Sequence, residues 1–266
     1  MNVPSPHSPV PVALVTGGSA GLGWVITQQL VQRGYRVVVV GRDQSRLDQA
    51  AQDFGTAVLV KKCDVTVATE IAEVVSQLDR LDALINCVGL SDRGLIAELR
   101  PERMQQLLDQ NVLSALLCCQ ACLPLLKQSR GTIVNIGSLS SKVGARYLGA
   151  YTIAKHALAG LTQQLRLELR PTGVHVALVS PGPIRRQDAG ARYTDLVSAD
   201  LPPSAAAPAG GAKVKGIPPE RVAAAVLKCI DRRIPDIVLP GYMRLLITLG
   251  HAFPRLGDWL LLRFTS

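Results

Sequence analysis

Aromatic side chains are scarce in this chain: Phe, Trp and Tyr together make up 4% of its 266 residues. Basic residues are not gathered into a block either. Recognition of nucleic acid by stacked bases along a basic stripe is therefore not expected. The Pro- and Ser-rich start lacks the basic residues followed by an apolar run that mark a secretory signal, so residues 1–10 read as a disordered lead-in and the chain as cytoplasmic. No internal repeat is present. Among six cysteines, Cys118, Cys119 and Cys122 cluster in one apolar stretch. Cys119 and Cys122 form a C-x-x-C with no histidine or second cysteine pair nearby, so no metal site is expected, and buried thiols in a reducing compartment are the simpler reading. What is abundant is apolar: 48% of the residues, enough for a large core in one α/β domain. Lys and Arg exceed Asp and Glu by 29 to 20, a net charge of +9 that could serve an anionic cofactor, a membrane surface or nucleic acid.

The organising stretch is Thr16-Gly17-Gly18-Ser19-Ala20-Gly21-Leu22-Gly23. An apolar run, Val12 to Val15, precedes it, and Trp24 to Val31 follows with apolar residues at helical spacing. Glycines in such a turn accept unusual backbone angles and let phosphates approach the main chain. The helix start then offers N–H groups and a positive dipole end. A glycine turn alone can be an ordinary tight turn; here the flanking strand and helix supply the setting a dinucleotide site needs.

Strand and helix patterns then alternate. Arg36-Val37-Val38-Val39-Val40-Gly41-Arg42 reads as a strand buried on both faces, as a parallel sheet demands. Asp43 caps a helix toward Phe54. Further strands are read at Ala57–Val65, Asp82–Gly89, Gly131–Ser138, Val174–Gly182 and Asp236–Pro240. Helices are read at Thr66–Leu78, Pro101–Lys127, Tyr151–Leu169 and from Pro218 to Asp231. The alternation predicts a Rossmann-type, doubly wound parallel sheet of about seven strands in a single domain over 11–241, with helices on both faces. Ligands then sit at the carboxyl ends of the strands, near the switch in strand order. At the end of the second strand an acid would select NAD; Arg42 stands there instead, and its guanidinium can pair with a 2′-phosphate, favouring NADP(H) over NAD(H). Asp43 could offset Arg42 or replace the missing acid.

Tyr151 and Lys155 lie four residues apart and share one face of their predicted helix. Ser138 ends the preceding strand thirteen residues before the tyrosine, and Asn111 lies in Gln110-Asn111-Val112. Together with the T-G-x-x-x-G-x-G turn, in this order, these residues resemble the classical short-chain dehydrogenase/reductase family from about Val10 to Gly241. The chemistry explains the residue types. Reducing a carbonyl requires a hydride on carbon and a proton on oxygen. A phenol with a pKa of about 10 does this poorly at neutral pH, and a neighbouring ammonium lowers that value. Lys155 would tune Tyr151, which is the general acid in reduction and the base in oxidation. Ser138 would hydrogen-bond the substrate oxygen.

The resemblance implies more. Gly17, Ser19, Gly21, Leu22 and Gly23 hold the cofactor phosphates, Lys155 and Tyr151 the nicotinamide ribose. Asp64, with Val65, contacts adenine or caps the next helix. Asn86-Cys87-Val88-Gly89 stands where the family has N-N-A-G, with Asn86 and Gly89 matching and implying main-chain contact with the cofactor. Asn111 orients a water linking Lys155 to solvent, or kinks its helix. Pro181, Gly182 and Ile184 run along the nicotinamide, but Arg186 stands where the family has a threonine, with Arg185 before it. These arginines could reach the pyrophosphate or an acidic substrate, or simply lie in solvent. Residues 187–216, punctuated by Gly and Pro, read as a mobile substrate lid. The long helices Pro101–Lys127 and Tyr151–Leu169 imply a homodimer or homotetramer.

After Gly241 the chain carries Leu245, Leu249, Phe253, Leu256 and Leu260 at helical spacing, broken by Pro254 and interspersed with Arg244, Arg255 and Arg263. Residues 242–266 read as an amphipathic tail. It could lie on a membrane surface, or pack over the pocket or a partner subunit; its charges and Pro254 argue against a spanning helix. The expected activity is NADPH-dependent reduction of a small, lipophilic ketone or aldehyde, or the reverse oxidation of an alcohol. A 3-oxoacyl thioester reductase and a non-catalytic NADP-binding scaffold or sensor are the alternatives.

Overall fold

The computed structural model describes residues 10–185, 197, 201–207, 211 and 215–264. Most of the lead-in and of the stretch read as a lid, and Arg186, lie outside the described residues. Seven parallel strands form one sheet: β1 (Val12–Thr16), β2 (Arg36–Gly41), β3 (Val58–Lys62), β4 (Ala83–Asn86), β5 (Thr132–Ile136), β6 (His175–Pro181) and β7 (Asp236–Leu239). Their spatial order is β3-β2-β1-β4-β5-β6-β7. The order reverses between β1 and β4, so the ends at Thr16 and Asn86, which pair in register, open a crevice there.

The four consecutive valines of β2 are all buried. Alternate strand residues go to opposite faces, and the core divides accordingly. Val15, Val37, Val39, Ile85 and Val179 pack with Leu22, Ile26 and Leu30 of α1 (Gly21–Gln32) and Val222 and Val226 of α7 (Pro219–Arg232). Leu14, Val38, Val40, Leu84 and Ile133 face the other layer. There they meet Ile71 and Val74 of α3 (Ala68–Ser76) and Cys118, Cys122 and Leu126 of α5 (Ser114–Ser129). The cysteine cluster is thus core, and burial pushes the Cys119 thiol up to about 12. Asp43 caps α2 (Gln44–Phe54) by accepting from the Arg46 N–H.

Two features differ from the sequence expectations, and the tail follows the break read at Pro254. The long helix read over Pro101–Lys127 is α4 (Pro101–Leu108) and α5 joined by a π-helical turn, Asp109–Leu113, with Asn111 at its centre. Asp64 does not cap α3. Its carboxylate accepts from the N–H and hydroxyl of Thr66, and α3 starts only after Val67. The tail is two helices, α8 (Met243–Ala252) and α9 (Pro254–Phe264), because Pro254 cannot continue α8.

Candidate functional site

The first loop after β1 delivers the sequence-read glycines to the switch point. Gly17 has a φ of +66° and donates its N–H to Val40 O at 2.8 Å. A Cβ on Gly23 would sit 2.1 Å from Gly17 O, so only hydrogen fits where the helix turns back over the loop. The residue before α1 is Ala20, which offers no side chain to the first N–H groups, and the first turn of α1 carries no acid. An uncapped, unneutralised helix start suits an anion, and this cradle would suit the diphosphate of a dinucleotide.

One flank of the loop gathers Ser19, Arg42, Asp64 and Val65. A Cβ at Gly41 would lie 3.4 Å from the Ser19 hydroxyl, so Ser19 sits against the end of β2. The largely exposed Arg42 guanidinium lies 3.5 Å from Asp64. Burial pushes the Asp64 carboxyl up, but the Thr66 hydrogen bonds and Arg42 outweigh it and hold the group below its ordinary value. Val65 is buried. Asp43 is engaged as the α2 cap and in a 3.1 Å ion pair with Arg46.

The other flank gathers Asn86, Gly89, Asn111, Ser138, Tyr151 and Lys155. Thr16 Oγ1 accepts the N–H groups of Cys87 and Val88, which folds the segment after β4 over the glycine turn. Asn86 turns its side chain into the core. It donates to Asn135 at 2.8 Å, Asn135 donates to Thr162 at 2.9 Å, and Thr162 donates to Leu158 O at 2.6 Å. This buried chain ties β4 and β5 to α6 (Ala150–Leu169), the helix that carries Tyr151 and Lys155. Only the backbone of Asn86 remains to face the crevice.

Lys155 is 4% exposed and reaches back to the end of β5, donating to Ile136 O at 3.0 Å, two residues before Ser138. Its Nζ lies 5.8 Å from the centroid of the Tyr151 ring. Burial brings its pKa down to about 8, partly offset by the proximity of Cys87. A Cβ at Gly89 would meet Asn111 Oδ1 at 2.8 Å and Lys155 Nζ at 3.2 Å, so both polar atoms converge on one glycine. The π-turn allows this convergence. Asn111 Nδ2 holds Leu107 O and Leu90 O, and its buried Oδ1 has no partner. An orphaned acceptor beside a buried ammonium suits a bridging water. Ser138 begins a short 3₁₀ turn, accepts from the Ser140 N–H, and donates its own N–H to Ser141.

Pro181 and Gly182 are buried at the end of β6, where Gly182 N–H donates to Leu239 O at 2.7 Å. Ile184 pairs with Ile217 in an isolated bridge. Arg185 is taken up in that same return, its Nε donating to Gly216 O at 3.0 Å.

Sequence reading missed Asp92 and Arg93, both buried. Asp92 Oδ2 accepts from the Ala150 N–H at 3.2 Å and Oδ1 from Arg103 Nε at 2.9 Å, so a carboxylate from the loop after β4 caps α6 one residue before Tyr151. Arg93 donates to Ala205 O and Ala207 O. Beside this cluster opens a cavity of about 620 Å³, lined by Leu95, Ile96, Tyr147, Thr152, Ile153 and Leu201 among others. In sequence, Ser91-Asp92-Arg93-Gly94 looks like a solvated turn. The only signal was its position, just beyond the Asn86–Gly89 segment.

Residues 11–195 match the family model described as short chain dehydrogenase. An uncharacterized oxidoreductase of Staphylococcus epidermidis is 38% identical over 176 residues, 64% of this chain and 76% of that protein. A 3-oxoacyl-[acyl-carrier-protein] reductase of Bos taurus is 32% identical, over 72% of this chain and 83% of the relative. Among solved structures, a variant actinorhodin polyketide ketoreductase with NADPH superposes with a TM-score of 0.75 at 27% identity, covering 87% of this chain and 96% of the other.

Proposed function

The chain belongs to the short-chain dehydrogenase family and is an NAD(P)-dependent oxidoreductase, and from that premise we propose that it is an NADPH-dependent carbonyl reductase acting on a lipophilic ketone or aldehyde. The observation that carries this reading is the buried Lys155 ammonium between Ile136 O, the Tyr151 ring and Asn111. A bound nicotinamide supplies or takes the hydride. The side chains manage the proton. Tyr151 protonates the carbonyl oxygen as it gains charge, or removes the hydroxyl proton in the reverse direction. Lys155 favours the phenolate by charge. Ser138 donates to the substrate oxygen and holds it near the phenol. Asn111 Oδ1 positions the water through which Lys155 exchanges protons with solvent.

NADP(H) is favoured by Arg42, exposed at the end of β2 beside Ser19, where a 2′-phosphate could take both. The objection from Asp43 weakens, because that carboxylate is committed to capping α2 and to Arg46. "Lipophilic" rests on the cavity beside α6, whose Leu95, Ile96, Ile153 and Leu201 outnumber its charged groups. A 3-oxoacyl thioester is the second reading, because a relative 32% identical to this chain reduces that class by name. Exposed Leu113, Ile153 and Leu167 on and beside α5 and α6 support pairing of subunits through those helices.

The deciding experiment follows NADPH oxidation across a panel of ketones, aldehydes and 3-oxoacyl thioesters, with Tyr151→Phe as control. Turnover on at least one class, lost in the variant by about 10²-fold or more, is the expected result. Tight NADPH binding with no turnover on any carbonyl would instead make the protein a scaffold or sensor.

A further inference from the structure

The α8–α9 hairpin meets the body through one face of α8. At about 100° per residue, Ile247 and His251 share one face of α8. Ile247 is the buried residue of that helix, and His251 shares a 2.7 Å hydrogen bond with Lys142 O, just beyond the 3₁₀ turn that Ser138 begins. Tyr242, Leu245, Leu249 and Phe253 fall on the opposite face and are exposed, Leu245 by 65% and Phe253 by 60%. α9 adds exposed Leu256 and Trp259, the latter 59% exposed. The hairpin does not bury these side chains against itself because its helices cross at glycines: a Cβ on Gly257 would lie 2.8 Å from the Gly250 Cα. A crossing that close brings backbones together and leaves the large side chains pointing outward.

Charge decides what covers this surface. Arg255 and Arg263 flank Trp259 on one face of α9, against Asp258 as the one acid in 242–266. A second copy docking by two-fold symmetry would set like charge against like. An anionic lipid surface meets both properties at once, since apolar side chains enter the headgroup boundary while arginines pair with phosphates. Aromatic placement agrees. The chain has only ten aromatics, yet Tyr242, Phe253, Trp259 and Phe264 fall in its last 25 residues. Tyr and Trp favour the membrane–water interface. We propose that the α8–α9 hairpin is a peripheral docking surface for an anionic lipid bilayer, with the apolar face of α8 and Trp259 inserted at headgroup depth. This holds whatever carbonyl the enzyme reduces.

The test uses the full-length protein and two kinds of vesicle, pure phosphatidylcholine and phosphatidylcholine with about 30% phosphatidylglycerol. Co-flotation with the anionic vesicles, weakened at about 1 M salt, is expected. In a Trp24→Phe background, Trp259 emission should shift to the blue on binding. Leu245→Glu with Trp259→Glu should reduce partitioning at least about tenfold, and Arg255→Ala with Arg263→Ala should abolish the preference for anionic vesicles. Both variants should keep their NADPH affinity and native circular dichroism. Absence of flotation for the intact protein would overturn the proposal. So would a Leu245→Glu/Trp259→Glu variant that floats like wild type, or one that turns a dimer into monomers while the intact protein ignores vesicles.

Discussion

Lys155 is the most heavily constrained charge in the site, and its burial has a measurable cost. Its pKa falls from 10.5 to about 8, with desolvation the main cause. At about 1.36 kcal/mol per pH unit, keeping the ammonium buried at neutral pH costs the apo-protein about 3 kcal/mol. The sign follows from proton counting. Below pH 8 both folded and unfolded chains hold the proton and the full penalty applies. Between about 8 and 10.5 the folded lysine releases its proton while the unfolded one keeps it, so the unfolded state binds more protons and stability rises with pH. In Lys155→Met the apolar stem is kept and the charge removed. The Ile136 carbonyl loses its donor, an offset of about 1–2 kcal/mol that is the same at every pH. Urea unfolding of both apo-proteins at pH 7 and pH 10 isolates the charge. Wild type should gain about 2 kcal/mol relative to the variant over that interval. A difference flat with pH, or one favouring the variant more at pH 10, refutes a desolvated ammonium at this position.

Other perturbations test the rest of the site. Gly23→Ala puts a methyl 2.1 Å from Gly17 O, so it should cost at least about 1–3 kcal/mol in thermal unfolding and abolish binding of NADPH in fluorescence titration. Arg42→Ala should weaken NADPH by roughly 10–100-fold and leave NADH nearly unchanged; equal losses for both would remove Arg42 from the 2′-phosphate. Asp92→Ala takes away both the α6 cap and the buried partner of Arg103, a loss of about 3 kcal/mol or more. Asp92→Asn keeps an acceptor for the Ala150 N–H, and should retain a larger share of kcat. Cys119 and Cys229 have thiols pushed up to about 12 by burial. At pH 8 an aromatic disulfide reagent should leave both untouched in the native protein and modify all six cysteines in urea; rapid native labelling of either would contradict their core placement.

Composition and pattern were enough for the layers of this molecule. A run of valines is satisfied between two helical layers, and a glycine turn between strand and helix suits a phosphate, so the strands and the first loop were legible in place, though β3 and β4 are shorter than the runs read for them. Tyr151 and Lys155 were legible because helical spacing puts them on one face. What the linear chain does not carry is distance between segments far apart in it. The convergence of Asn111 and Lys155 on Gly89 depends on a π-turn inside what reads as continuous helix. The capping of α6 by Asp92 joins residues 58 apart. Asn86 reads in sequence only as a match to the family's N-N-A-G, and its bond to Asn135 across the sheet decides the direction of its side chain. The tail's amphipathic spacing was visible, but which face stays exposed was set by the hairpin crossing at Gly250 and Gly257. Short-range periodicity follows from bond geometry and is written locally. Which polar groups meet depends on how whole layers pack, and only the folded chain decides it.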